Sequence, residues 1–132
     1  MGDIIQTFSV RTGNRGKGQD LRLYFDTGSP HTFIKESAAK GLGHLMRLAP
    51  PHPFGGLGNG RFYAAAVADL FICFLGTWCS HLTYVVPDDT FGAGYDMLVG
   101  HDLMQSLNIK PIPRKHCVEL DPVSIRLSLQ VR

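Results

Sequence analysis

The residue of this chain best placed to do chemistry is Asp26, which stands where an apolar run ends. The run Leu21–Phe25 predicts a buried strand, and Thr27, Gly28 and Ser29 follow the aspartate directly. A carboxylate at the end of a buried strand is costly unless it is hydrogen-bonded, paired or used in a reaction. The two hydroxyls and the bare glycine backbone beside it are suited to hold it in one orientation. Because Asp, Gly and Ser are also common in turns, the tetrapeptide alone indicates either a reactive carboxylate or a turn between two strands.

Two further motifs follow this turn along the chain. A glycine-rich stretch predicts a hairpin tip and consists of Phe54, Gly55, Gly56, Leu57, Gly58, Asn59 and Gly60. Later, the apolar pair Leu98-Val99 runs into Gly100. A short helical pattern comes next, with three apolar residues on one face, Leu103, Met104 and Leu107. The order is therefore Asp-Thr-Gly-Ser, a glycine-rich loop, and an apolar pair followed by glycine and a helix.

This order of motifs resembles the retropepsins, the single-lobe aspartic proteases of retroviruses. The stretches HTFI after the Asp-Thr-Gly-Ser turn and YDMLVGHDLM near the end look closer to the gypsy-type retrotransposon proteases and their cellular and bacterial relatives. The resemblance covers roughly residues 21 to 120. It implies an all-β fold, namely a single-lobe acid-protease closed barrel with one short C-terminal helix, which acts as a homodimer.

Aspartic proteolysis, which the resemblance implies, uses two carboxylates that share one proton around a water molecule. One is the general base for the water, and the other, protonated, donates to the scissile carbonyl. At about 3 Å and an effective dielectric constant of about 20, two carboxylates repel each other by roughly 5 kcal/mol, which keeps one of them neutral. The chain has one Asp-Thr-Gly, and its other aspartates lack the Thr-Gly partners: Asp3, Asp20, Asp69, Asp88, Asp89, Asp96, Asp102 and Asp121. The second carboxylate is therefore expected from Asp26 of a second copy, across a twofold axis.

The resemblance also assigns roles to the neighbours of Asp26. Thr27 would direct its hydroxyl across the axis to the backbone of the partner. Gly28 would let the substrate backbone approach closely, and its carbonyl would accept a substrate N–H. Ser29 would hydrogen-bond the outer oxygen of Asp26, and Gly100 would pack behind the active-site loop, where a side chain would collide.

Two positions depart from the retroviral pattern. Retroviral enzymes carry an acid directly after the Asp-Thr-Gly-Ser position and an arginine after the helix-leading glycine, and the salt bridge between them supports the dimer. Here Pro30 and His101 stand at those places. We hypothesise that His31 and Asp102 form a substitute pair between loop and helix; the alternative is an exposed His31. The other histidines have no ligand-like spacing and are expected at the surface: His44, His52, His81 and His116.

Length and composition limit the classes of function. At 132 residues the chain is expected to be one domain, residues 1–132. A net charge of +2 is too small to indicate nucleic-acid binding, and no apolar window approaches the roughly 20 residues of a membrane span. Cys73, Cys79 and Cys117 are odd in number and lack metal-site spacing, which argues against zinc and a disulfide framework. With no signal-peptide pattern, we expect a reducing compartment such as the cytoplasm, and neither metal nor cofactor.

The expected elements follow the order of the motifs. They are strands within 4–25, the active-site loop at 26–29, the flap at about 52–66, a helix at about 101–107 and a C-terminal hairpin at about 117–131. The glycines of the flap permit its turn and its closing motion. The hairpin is expected to turn at Asp121-Pro122, because IRLSLQV after it alternates apolar and polar residues. The prolines that precede the flap are expected to break regular structure: Pro50, Pro51 and Pro53.

The function implied is that of an aspartic endopeptidase, which hydrolyses peptide bonds with a water activated between two Asp26 carboxylates. The alternative is a catalytically weak or inactive retropepsin-like module for dimerisation or peptide binding. The intact Asp-Thr-Gly-Ser favours the protease, because a retired active site has no need of the acid. The expected partners are a second copy of the chain and a peptide or polyprotein substrate, which can be a precursor that contains this domain; neither nucleic acid nor membrane is expected.

Overall fold

Six strands close into a barrel, and the buried apolar residues form two clusters. The computed structural model describes residues 3–13, 18–55 and 60–128. In order around the barrel, the strands are β1 (Ile4–Thr12), β2 (Gln19–Phe25), β7 (Met97–Val99), β3 (Phe33–Lys35), β6 (Thr77–Val86) and β5 (Phe62–Phe74). The barrel closes because β1 pairs with β5 as well as with β2. The fold is thus an all-β closed barrel, as the resemblance implied, although the described residues contain three short α-helices where the resemblance implied one.

The pattern of each strand explains which side faces the core. Along β2, Leu21, Leu23 and Phe25 are buried, whereas Arg22 between them is exposed. This period of two is what a strand with one buried face requires. Strand β7 has no exposed residue at all, since Met97, Leu98 and Val99 are all buried, as expected for a short strand between two others.

Parallel pairing of β2 with β7 positions the candidate site. In this pairing Phe25 lies opposite Val99, so both strands end at the same edge of the sheet. The residues that follow, Asp26 and Gly100, therefore lie side by side. Strand β3, which follows the Asp-Thr-Gly-Ser turn, pairs antiparallel with the other side of β7. The turn is consequently held between two strands that flank β7.

Strand β4 (Met46–Phe54) lies on the outer edge of the sheet and pairs with β5. Together the two strands form the hairpin expected to carry the flap; the tip residues Gly56, Leu57, Gly58 and Asn59 fall outside the described residues. The expectation that the prolines break regular structure was wrong, because β4 runs through all three. An edge strand tolerates proline since one side of it has no ladder to break, and the register with β5 shifts between Arg47 and His52.

Three short helices complete the described chain. They are α1 (Glu36–Leu42), α2 (His101–Leu107) and α3 (Pro122–Leu127). Helix α2 occupies the range expected from the sequence. Its buried face consists of Leu103, Met104 and Leu107, and it begins directly after Gly100.

The expected C-terminal hairpin over 117–131 was wrong. Strand β9 (Cys117–Glu119) pairs antiparallel with the preceding strand β8 (Lys110–Ile112), and the chain then forms α3. Asp121 caps this helix, because its carboxylate accepts a 3.0 Å hydrogen bond from the backbone N–H of Val123. Proline at the first helical position is also favourable. Residues 129–131 of the expected hairpin lie outside the described chain.

Candidate active site

The Asp26 carboxylate is held by the turn that follows β2. The backbone N–H of Asp26 donates to the carbonyl of Val99 at 2.9 Å, which fixes the residue to the end of β7. The N–H of Gly28 donates to Asp26 Oδ1 at 2.9 Å, and the N–H of Ser29 donates to the Asp26 carbonyl at 3.1 Å. One carboxylate oxygen is therefore oriented by the backbone. The side chain remains partly exposed, and Thr27 and Gly28 beside it are exposed.

Ser29 supports the loop rather than the carboxylate. Its side chain is buried, and its hydroxyl donates to the carbonyl of His31 at 2.8 Å. The expectation that Ser29 bonds the outer oxygen of Asp26 was wrong in this structure. The physical reason is that the carbonyl of His31 turns into the loop and offers a buried acceptor two residues away.

Gly100 lies directly behind the active-site loop. The N–H groups that follow it bond to the loop backbone: His101 donates to the Ser29 carbonyl at 2.7 Å and Asp102 to the Pro30 carbonyl at 3.3 Å. A Cβ atom on Gly100 would lie 2.6 Å from the Ser29 carbonyl oxygen, and closer still to the carbonyl oxygen of His31. No side chain fits at such distances from backbone atoms. Glycine is needed here for close approach, not for an unusual φ.

A partly buried hydrogen-bond network joins the loop to α2 and β6. Asp102 Oδ1 accepts from the Thr32 hydroxyl at 2.6 Å, and Asp102 Oδ2 accepts from the Thr32 N–H at 3.2 Å. Thr32 is completely buried, and its hydroxyl oxygen accepts from the Gly100 N–H at 3.1 Å. The side chain of His81 on β6 is also part of this network, because its Nε2 lies 3.0 Å from Asp102 Oδ2. The hypothesis of a His31–Asp102 pair was therefore wrong, as was the expectation that His81 is only a surface residue.

The electrostatics of Asp102 follow from this network. Burial raises the pKa of the carboxyl group, but hydrogen bonds from His81 and Thr32 lower it more. The net result is a pKa below the ordinary value of an aspartate. The carboxylate is thus kept ionised, and it stabilises the loop through charge-assisted hydrogen bonds.

We expect Asp102→Asn to lower the free energy of unfolding by about 2 kcal/mol at neutral pH, because charge-assisted hydrogen bonds become neutral ones. A carboxyl group whose pKa is lower in the folded than in the unfolded chain stabilises the fold fully at any pH above its ordinary pKa. This stabilisation is lost as the pH falls through the lowered pKa of the folded state. The difference between parent and variant should therefore shrink below about pH 4. Urea unfolding between pH 7 and pH 3 measures this difference. Asp89→Asn, at an exposed carboxylate, is the control; a difference for Asp102→Asn that is the same at every pH would contradict the prediction.

The His31 side chain points toward aromatic rings. Its ring centroid lies 5.3 Å from that of Phe54, 6.0 Å from that of Tyr84 and 6.3 Å from that of Phe33. Phe54 is on β4, at the base of the flap hairpin. Of the glycine-rich stretch expected at the flap tip, residues 54–60, the structure describes Phe54, Gly55 and Gly60. Gly60 has a φ of +105°, which favours glycine.

Tyr24 is a site residue that sequence reasoning missed. Its pKa is raised to about 12, first by burial, then by the negative charge of Asp26 and by a hydrogen bond to Asp3. The phenol oxygen lies 3.2 Å from Asp3 Oδ1. Together with Asp26 and Thr27, these two side chains line a cavity of about 270 Å³. Strand periodicity could have found Tyr24, because residues two apart on a strand share a face and Tyr24 precedes Asp26 by two.

The chain is similar in structure to two solved proteins. An EIAV protease in complex with the inhibitor HBY-793 superposes with a TM-score of 0.62 at 15% identity, over 84% of this chain and 93% of that one. The retroviral protease-like domain of Ddi1 from Leishmania major superposes with a TM-score of 0.57 at 14% identity, over 89% of each chain. No family model and no curated protein matches the sequence. At this identity the similarity shows the fold, and the retropepsin fold expected from the motifs is confirmed.

Within residues 3–13, 18–55 and 60–128, no three His, Cys, Asp or Glu side chains form a group that could hold a metal ion. Across the same ranges, no helix has the length and apolar character needed to cross a membrane.

Proposed function

We propose that this chain, which has the retropepsin fold, is an aspartic endopeptidase that works as a homodimer, with one Asp26 from each copy at a shared active site. The observation that carries the proposal is the setting of Asp26. The carboxylate follows the strand pair β2 and β7, is oriented by the Gly28 N–H at 2.9 Å, and is partly open to solvent. An aspartate used only as a turn residue would not need a glycine packed against the loop behind it.

The proposed reaction is the addition of water to a peptide carbonyl. A water molecule between the two Asp26 carboxylates loses a proton to one of them as its oxygen attacks the carbonyl carbon. The other carboxyl group, which holds the shared proton, donates it to the carbonyl oxygen. The carbon–nitrogen bond of the resulting diol then breaks: the nitrogen takes the proton that the first carboxylate received from water, and one diol hydroxyl gives its proton to the second carboxylate as the carbonyl reforms. No covalent intermediate with the enzyme forms.

A second copy is needed because one chain supplies one Asp-Thr-Gly. Thr27 and Gly28 are exposed beside Asp26, which leaves this edge of the loop open for a partner loop. A twofold axis at this edge brings the same residue of both copies together. The Asp102 network and Gly100 then hold each loop from behind, so that the two carboxylates meet in a defined geometry. The substrate is proposed to lie as an extended peptide between this loop and the flap.

Mixed dimers test the shared site directly. Equal amounts of parent chain and Asp26→Asn are refolded together and compared with the same total amount of parent chain. We expect the mixture to have about one quarter of the parent activity, because only parent–parent dimers carry two carboxylates. Chains that act singly would keep about one half. The measurement is cleavage of a diverse peptide mixture near pH 5 at high protein concentration. Refolding with Asp20→Asn, which removes an exposed carboxylate from the far end of β2, should leave the activity unchanged.

The oligomeric state decides how a negative result is interpreted. If the parent chain is dimeric by light scattering and cleaves no peptide, the proposal fails and the alternative, a dimerisation or peptide-binding module, takes its place. Activity per chain that rises with protein concentration supports the proposal, since the population of dimers rises with concentration.

A further inference from the structure

The cavity of about 270 Å³ beside Asp26 combines apolar walls with carboxylates. Four apolar residues line it: Ile4, Phe25, Pro111 and Pro113. Four polar residues complete the lining: Asp3, Tyr24, Asp26 and Thr27. We refer to it below as the acidic cavity.

Asp3 is placed at the acidic cavity by the pairing of β1 with β2. Ile4, the first residue of β1, lies opposite Phe25, and the same register brings Asp3 opposite Asp26. The Tyr24 hydroxyl donates to Asp3 Oδ1 at 3.2 Å. Within residues 3–13, 18–55 and 60–128, no other hydrogen bond and no ion pair involves the Asp3 side chain. One Asp3 oxygen is thus oriented by Tyr24, and the other is left for a ligand.

The polar groups of the acidic cavity are mainly hydrogen-bond acceptors. The carboxylates of Asp3 and Asp26 accept, and the Tyr24 oxygen can only accept once its hydrogen is given to Asp3. Burial and the nearby negative charges raise the pKa of Tyr24 to about 12, so the phenol stays protonated and uncharged. No Lys, Arg or His side chain is among the described residues that line the cavity. A ligand group that enters must therefore donate hydrogen bonds, and a positive charge is favoured.

The apolar walls and the carboxylates together define an amphipathic ligand. Lysine and arginine side chains bury an apolar stem along apolar surface and keep a charged head at polar groups. In the acidic cavity the stem would pack on Ile4 and the prolines, while the head would donate to Asp3. A glutamate side chain would instead meet two carboxylates of its own sign. An aliphatic side chain would fill the walls but would give Asp3 no donor.

The acidic cavity is continuous with the proposed catalytic group, because Asp26 itself lines it. A peptide whose scissile carbonyl lies at Asp26 would direct a nearby side chain into the cavity. Successive side chains of an extended peptide point to opposite sides, so only alternate positions of the substrate can enter. Since Asp26 is engaged with the water and the carbonyl during the reaction, Asp3 is the carboxylate that remains to bind the side chain.

We infer that Asp3 is a specificity-determining residue, and that the substrates of this chain are peptides with a lysine or arginine side chain at one fixed position near the scissile bond. The inference rests on the proposed function, because it takes the acidic cavity to serve the reaction at Asp26. It adds the charge of the substrate side chain, which the Asp-Thr-Gly-Ser turn does not define.

The test compares two side chains that differ in one charged group. Cleavage of a peptide library by the parent chain, and retention of the same library on immobilised Asp26→Asn, give the position to vary. A peptide series then carries Lys, Arg, Glu or norleucine there; norleucine keeps an apolar stem like that of lysine and lacks the ammonium. We expect the parent to show a kcat/KM at least about 10-fold higher for Lys than for norleucine, since a charge-assisted hydrogen bond is gained.

Variants of Asp3 should change this ratio within each protein, so that a loss of overall activity does not affect the comparison. In Asp3→Asn the Lys-to-norleucine ratio should fall to near one. In Asp3→Lys the Glu peptide should become a better substrate than the Lys peptide. The matched controls are Asp20→Asn and Asp20→Lys, which make the same changes at an exposed carboxylate at the far end of β2. They should keep the parental ratio.

A binding measurement makes the inference testable separately from catalysis. In Asp26→Asn, fluorescence anisotropy should show that the Lys peptide binds more tightly than the norleucine peptide, and adding Asp3→Asn should remove the difference. A parent chain that cleaves nothing overturns the proposed function, while this binding comparison still decides for or against the role of Asp3.

Three results would overturn the role of Asp3 and leave the proposed function in place. The first is a Lys peptide that is no better than norleucine at any position tested. The second is a Lys preference that neither Asp3 variant alters. The third is an Asp3→Asn variant that lowers the dimer population in light scattering but keeps the Lys preference, which would show that the partner chain fills the acidic cavity. Absence of both cleavage and peptide binding overturns both proposals.

Discussion

Asp26→Asn is expected to reduce peptide cleavage by at least about 1,000-fold, since general acid and base catalysis by the shared carboxylates would be lost together. The substitution changes little else. An asparagine side-chain oxygen can accept the same 2.9 Å hydrogen bond from the Gly28 N–H, so the turn is expected to keep its shape. The measurement is kcat/KM on a peptide cleaved by the parent, with the melting temperature and the oligomeric state recorded on the same samples.

The control for this prediction is Asp20→Asn, which removes the same charge from an exposed position of the same strand. It should keep full activity. If Asp26→Asn retained more than about a tenth of the parent activity while remaining folded and dimeric, the carboxylate would not be the catalytic group. A loss of activity together with a loss of the dimer would instead show that Asp26 is needed for dimer formation, and the loss of activity would then not identify the catalytic group.

The placement of Asp26 could be predicted from the sequence because it depends on local patterns that agree with one another. An apolar strand ends in Asp-Thr-Gly-Ser, and a second apolar pair ends in Gly100. Parallel pairing of these two strands brings Phe25 opposite Val99, and the two motifs then meet. The spacing does not reveal the pairing itself. The resemblance to the retropepsins implied that Gly100 packs behind the active-site loop, and the superposition with two retropepsin-fold proteins confirms the fold.

The partner of Asp102 could not be predicted in the same way. His31 is close to the loop in sequence, whereas His81 belongs to β6, and its side chain reaches Asp102, in the first turn of α2, only in the folded chain. No periodicity in the sequence indicates which histidine faces the helix. His31 instead meets Phe54 at a ring distance of 5.3 Å, because the loop turns its side chain toward the flap hairpin. Contacts of this kind depend on how elements pack, not on the pattern within each.

The expected C-terminal hairpin was wrong because two local sequence signals, one for a strand and one for a helix, compete there. The alternation in IRLSLQV favoured a strand, but Asp121 followed by Pro122 starts a helix. The Asp121 carboxylate caps it by accepting a hydrogen bond from the Val123 N–H at 3.0 Å. Proline at the first helical position and aspartate before it are both favourable. One turn of helix then buries Ile125, and that contact overrides the alternating pattern.

The packing of Gly100 leads to a prediction with a large effect on both stability and activity. Gly100→Ala is expected to lower the free energy of unfolding by about 3 kcal/mol, since the added Cβ meets backbone atoms of the loop that cannot rotate away. It would lie 2.6 Å from the Ser29 carbonyl oxygen, so the loop must move. A displacement of about 1 Å in a catalytic group can cost 100-fold in rate, and we expect at least that loss in kcat.

Urea unfolding and kcat, measured at a temperature where the variant is fully folded, separate these two effects. The matched control is Gly41→Ala in α1, where the added Cβ would meet only the Gln19 side chain at an ordinary 3.5 Å. That change should stabilise the chain by up to about 1 kcal/mol, because alanine favours a helix over glycine. The same methyl group thus has opposite effects at the two glycines. A Gly100→Ala variant with parental stability and parental kcat would show that the loop is not held from behind, and the role of Gly100 in positioning Asp26 would be withdrawn.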